Sequence, residues 1–168
     1  SARDKKGRTA LLHAAASRSG RVAEVMHALL AAGASVEARD SQGRTALICA
    51  AASASSQVVD GIEALLAAGA STEERDSCGK TALMYAAQNP TRGAAIVEAL
   101  AAAGASINAR DSLGRTALHA FASSSAVEQA FRNGRQGECE DLFTALLEAG
   151  ADVNAADMCG CTPAFLAS

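Results

Sequence analysis

One phrase recurs along the chain, and its spacing limits what the chain can become. Aligned on an aspartate, the copies read RDKKGRTALLHAAA from residue 3, RDSQGRTALICAAA from 39, RDSCGKTALMYAAQ from 75, RDSLGRTALHAFAS from 110 and ADMCGCTPAFLAS from 156. The aspartates, Asp4, Asp40, Asp76, Asp111 and Asp157, stand 36, 36, 35 and 46 residues apart. A second phrase alternates with the first: ALLAAGASVEARD, ALLAAGASTEERD, ALAAAGASINARD, ALLEAGADVNAAD. From its glycine to the next threonine (Gly33 to Thr45, Gly69 to Thr81, Gly104 to Thr116, Gly150 to Thr162) the chain always runs 12 residues, whereas threonine to glycine takes 24, 24, 23 and 34. A connection held to the residue belongs to the packing register, and one that varies lies at the surface. A period of this size marks stacked units, each with an apolar side that only its neighbour can cover.

Each part of the unit has a local reading. Thr9, Thr45, Thr81 and Thr116 follow a D-x-x-G turn and precede an Ala/Leu run, where a hydroxyl can accept from the free N–H groups of a helix start. The turn glycines, such as Gly43, supply a left-handed backbone, and Gly33, Gly69, Gly104 and Gly150 stop a helix. Hydrophobic residues make up 49% of the 168-residue chain but aromatics only 3%, with no Trp. Such a core is built from Ala, Leu and Val packed close, which favours helix on helix. The net charge of −3 argues against a dedicated nucleic-acid binder. No apolar run approaches the ~18 residues of a membrane span, and the charged N-terminal stretch is not a signal peptide. Five cysteines, an odd number at irregular spacing, give no disulfide framework and point to a reducing, intracellular and most simply cytoplasmic setting.

In register, these phrases resemble the ankyrin repeat, whose pattern is roughly D-x-x-G-x-T-P-L-H-x-A-A, then a helix ending L-L-x-x-G-A, then D-V-N. The likeness covers essentially the whole chain as a single domain: repeats at about 4–39, 40–75, 76–110 and 111–156, the last with an insertion at about 123–137, and a partial fifth at 157–168 that holds only its first helix. The resemblance implies an all-α solenoid of stacked helix–turn–helix units with projecting β-turn or hairpin fingers. The sequence departs from the pattern at Ala10, Ala46, Ala82 and Ala117, where Pro is usual and only Pro163 keeps it. It departs again at Leu12, Ile48, Met84 and Phe165, where His is usual and only His119 keeps it.

The resemblance also implies a non-catalytic scaffold or adaptor that binds another protein or peptide through its concave face and finger tips. The alternative is a regulatory or substrate-recruiting domain of a larger enzyme. The tip positions carried over onto this chain include Lys5, Lys6 and Arg8; Ser41, Gln42 and Arg44; Lys80; Leu113 and Arg115; and Met158. Gln88 and Asn89 are carried over at the end of a first helix. Arg8, Arg44, Lys80 and Arg115 form a basic row stepped by roughly 10 Å, the spacing of packed helices. This row reads either as a ladder paired within its own turns or as a track for an acidic partner. The net charge of successive turns runs +3, 0, −1, +1 and −2, so an acidic partner fits the N-terminal end best. Leu113 and Met158 are apolar anchors or pack on the neighbouring tip, and Tyr85 serves partner contact or inter-unit packing. In this family the turn asparagines, here Asn108 and Asn154, order the turn, and some are hydroxylated.

No nucleophile–base pair or metal constellation is evident, so no cofactor, no metal and no catalytic residue is expected. Cys159 and Cys161 are the only pair close enough to suggest thiol or metal chemistry, and they lack a second pair. The insertion has its own signals. Ser125 to Glu128 has the form of a capping box, Val127, Ala130 and Phe131 share a helical face, and Asn133-Gly134 is a stop. A helix over 126–132 is therefore predicted, with Val127 and Phe131 packing near Phe121, which stands where the other units have Ala14, Ala50 and Ala86. A partner contact through Phe131 and a slack loop are the other readings. The native chain is expected to continue past Ser168, and the fifth unit to fray or to pair weakly with another copy, leaving a monomer or weak dimer.

Overall fold

The structure, a computed structural model, describes residues 2–19 and 21–166. Ala167 and Ser168, the end of the unit expected to fray, lie outside the described residues. Among the described residues there are helices and no strands. In chain order they are α1 (Ala10–Ala15), α2 (Val22–Ala31), α3 (Ala46–Ala51), α4 (Val58–Ala67), α5 (Ala82–Ala86), α6 (Gly93–Ala102), α7 (Ala117–Ala122), α8 (Ser125–Arg132), α9 (Gln136–Glu148) and α10 (Pro163–Leu166).

Thr9, Thr45, Thr81 and Thr116 each sit at the N-cap of a short helix with extended backbone. The Thr9 and Thr45 hydroxyls accept from Leu12 and Ile48 N–H. The Thr81 hydroxyl oxygen is buried and has no hydrogen-bond partner among the described residues. At Thr116 the cap is made with His119, whose Nδ1 accepts from Thr116 N–H at 3.2 Å. Gly43 shows why the turn needs glycine: its φ is 74°, and a Cβ there would lie 3.2 Å from Ser77 N of the next turn.

The short helices pack in one layer, α1 on α3, α3 on α5, α5 on α7 and α7 on α10, and the longer ones in a second, α2 on α4, α4 on α6 and α6 on α9. The core runs unbroken between the layers. Leu12, Ile48 and Met84 come from the first, at the positions where the repeat pattern has His, and Met26, Ile62, Leu65, Ile96, Leu100 and Leu142 come from the second. Ala15, Ala51 and Ala87 are fully enclosed, because neighbouring first helices approach too closely for a larger side chain. His119 is also fully buried, and its Nε2 meets Cys161 O at 3.0 Å, so a hydrogen bond to the next unit replaces the apolar contact made elsewhere.

Polar ladders tie unit to unit. Successive turns are joined by one backbone bond each: Ser41 N–H to Lys6 O, Ser77 to Gln42, Ser112 to Cys78 and Met158 to Leu113, at 2.9–3.1 Å. Arg3, Arg39, Arg75 and Arg110 each donate to a carbonyl of their own turn and to one in the next. Glu37 and Glu73 accept from Ser71 and Ser106 N–H, and Asn108 holds both Asp152 N–H and Gly150 O. The connections between helices within a unit stack as well: Ser53 and Ser55 hydroxyls donate to Ser17 O and Ser19 O, and Asn89 Nδ2 donates to Ser53 O at 2.8 Å.

The insertion is helical, but its cap is Ser124 rather than Ser125. Ser124 has the extended backbone of a cap, and its hydroxyl accepts from Val127 N–H at 3.4 Å. Val127 and Ala130 are buried with Cys139 against Phe121, a small core of their own. The expectation that Phe131 packs near Phe121 is corrected: its side chain is 43% exposed. The reason is rotational. On α8, Val127 and Ala130 already fill the narrow face turned to the protein, and Phe131, a further 100° round, falls on its margin. Phe121 pairs instead with Phe143 of α9, ring centroids 5.7 Å apart.

Candidate partner-binding face

The D-x-x-G turns and the short helices that follow them share one face, and the basic row runs along it. Three of its four cations are held within their own turns. Arg44 donates through Nε and Nη2 to Asp40 Oδ2 at 3.0 and 2.8 Å, while Asp40 Oδ1 takes the N–H groups of Gln42 and Arg44. Arg115 grips Asp111 in the same way, and Arg8 grips Asp4. Burial raises the Asp40 and Asp111 carboxyls, but the arginines and backbone donors overcome it and leave both below the usual carboxylate range. The ladder reading of the row therefore describes these arginines. Arg44 and Lys80 are both half-buried, where free exposure was expected of each.

Lys80 differs. Its turn aspartate, Asp76, accepts instead from the Tyr85 hydroxyl at 2.7 Å, and the Lys80 ammonium stands 5.5 Å from the centre of the Tyr85 ring. No ion pair engages Lys80 among the described residues. A cation over an aromatic face is held loosely enough to turn to a partner. Burial and the Asp76 carboxylate both push the Tyr85 phenol up, so it stays a neutral donor. In the first unit His13 occupies the position of Tyr85, and its Nε2 meets Asp4 Oδ2 at 2.8 Å. Burial pushes the thiol at the equivalent Cys49 up to about 11, which makes it inert.

The other sequence candidates divide by environment. Lys5, Lys6, Ser41 and Gln42 are exposed on their turns. Leu113 is 55% and Met158 74% exposed at adjacent tips, despite the backbone bond between the two. Gln88 is half-buried at the end of α5. Asn89 is corrected: it is buried, and it spends its amide on Ser53 O and on Arg92 N–H, so it holds the stack and offers nothing to a partner. Sequence reasoning missed the arginine one residue before each turn aspartate. Its signal was its recurrence at 3, 39, 75 and 110, with Ala at 156.

Among the described residues, no cluster of three or more His, Cys, Asp or Glu side chains could hold a metal ion, and no helix is long and apolar enough to cross a membrane. Paired helices stacked in two layers, with bonded turns along one edge, define a helical repeat solenoid. A family model of ankyrin repeats, in three copies, matches residues 1–76 and 52–157. The chain belongs to the ankyrin-repeat family, whose members are in general protein–protein interaction modules and typically non-catalytic. No curated relative matches the chain.

Proposed function

We propose that this chain is a non-catalytic protein-interaction domain, one unit of repeats over residues 1–168, that docks a partner protein across its turns and first helices. The Lys80–Tyr85 corner carries the reading. It combines a cation with no ion pair among the described residues, a neutral phenol and a half-exposed aromatic ring, on a face where Arg8, Arg44 and Arg115 are self-paired. Lys5 and Lys6, which no ion pair engages among the described residues, add positive charge at the N-terminal end, so the partner is acidic there. Exposed Leu113 and Met158 give the tips an apolar contact. The five cysteines are free thiols, which supports a reducing, intracellular setting. The same reading keeps the chain a monomer or a weak dimer, the latter through its uncapped C-terminal repeat.

The test is charge reversal or removal where it leaves the fold alone. Lys6→Glu with Lys80→Gln is expected to weaken a captured partner at least about tenfold, with a loss that grows as salt falls, and to leave the melting temperature within a degree or two. Unchanged binding in that variant counts against the reading.

A further inference from the structure

The insertion builds a second recessed surface. Its small core of Val127, Ala130 and Cys139 anchors α8, and Cys139 Sγ–H donates to Val127 O at 3.8 Å. Fixed there, α8 stands as a wall beside the ends of α3 and α5, and the space between them is an open groove of about 530 Å³, within the ~300–1,000 Å³ typical of ligand sites. Tyr85, Gln88 and Thr91 form one side, and Ser125 and Gln129 the other. Ala52 and Ala54 keep the floor low enough for a main chain to approach.

The lining mixes polar and apolar side chains, and no carboxylate is among the described residues that form it. Its charge comes from Arg135, at the end of the groove; Arg132, one turn beyond Gln129 on α8, lies outside the lining. Both guanidiniums have local partners, Arg132 with Glu128 and Arg135 with Glu138 at 3.4 Å and Thr91 Oγ at 3.3 Å. These pairs are exposed, so each is weak and exchanges readily for a better-placed carboxylate. Side-chain amides facing a recess this size suit the alternating N–H and C=O groups of an extended chain. An apolar helix finds no matching surface here, and a duplex is opposed by the net charge of −3.

We propose that the groove between α8 and the ends of α3 and α5 binds an extended, acidic peptide segment of a partner protein, with its main chain read by Gln88 and Gln129 and a carboxylate by Arg135. This rests on the interaction-module reading and adds to it a contact that adjoins the turn face at Tyr85.

The experiment titrates the whole chain into three labelled peptides of equal length, alternating Glu/Ser, Gln/Ser and Lys/Ser, with fluorescence anisotropy as the readout. Saturable binding of the Glu/Ser peptide is expected, at least about tenfold tighter than Gln/Ser and with Lys/Ser weakest. Gln129→Glu with Arg135→Glu should cost at least about tenfold at unchanged melting temperature, and Gln129→Lys should tighten binding a few-fold. Lys5→Glu with Lys6→Glu should change nothing. Equal affinity for all three peptides, tighter Lys/Ser binding or no saturable Glu/Ser binding overturns the proposal. Binding lost through Lys5 and Lys6 but indifferent to Gln129 also overturns it, and would leave the turn-face reading standing.

Discussion

At the scale of single residues, carboxylates and amides that look like surface chemistry in the sequence turn out to hold the stack. Asp40 and Asp111 each accept from two backbone N–H groups and a guanidinium, so both titrate below the usual range. A carboxyl whose folded pKa is depressed stabilises the fold fully above its unfolded value and loses that contribution as pH falls through the folded one. Urea midpoints should therefore be flat from neutral pH down to roughly 5 and fall below roughly 4. Asp40→Asn with Asp111→Asn should start lower at neutral pH and fall less in acid; a parallel fall would assign acid sensitivity elsewhere. Asn89→Ala removes the partner of Ser53 O across the unit boundary and should cost about 1–3 kcal/mol by chemical denaturation, without changing partner affinity. Arg44 fits the same pattern. Replacing it would break its pair with Asp40, whereas Lys80 has no ion pair to lose among the described residues, so Lys80 is the informative position on this row.

At the scale of elements, the insertion shows what a sequence pattern carries and where it stops. The capping signal, the apolar spacing and the Asn133-Gly134 stop placed a helix, and α8 is there. They did not fix its rotation, because three apolar residues at i, i+3 and i+4 span more of the helix than its narrow contact with Phe121 and Cys139 covers. Ser124 and Ser125 compete equally for the cap on composition, and only the backbone angles choose. Truncation separates the two faces: Val127→Ala should cost about 2 kcal/mol, and Phe131→Ala less than about 1 kcal/mol because the ring is already wetted. Thermal melts of both variants check the order, and a larger loss at Phe131 would contradict it. The repeat itself was legible to the residue at Gly43 and Gly33, since φ values of 74° and 77° leave glycine little competition. Asn89 was not. Its neighbours Gln88 and Pro90 give no hint that one amide points into the stack, and its partner lies 36 residues away.

At the scale of the whole molecule, a solenoid separates support from contact. Arginine, serine and backbone ladders run along its length and fix the spacing of units, which leaves Lys5, Lys6, Lys80 and the tips free to vary with the partner. Stability then sums over neighbours, so losses such as that at Asn89 should fall on the two units they join rather than on the whole chain. The central claim is that the partner sits on the face made by the turns and first helices. Hydrogen exchange of the free chain and of its complex with a captured partner tests this most directly. The account predicts slowed exchange in the turns at residues 5–8, 41–44 and 77–80 and around Tyr85 and Gln88, with α2, α4 and α6 unchanged. Protection confined to α2, α4 and α6, with the turns unaffected, would contradict it.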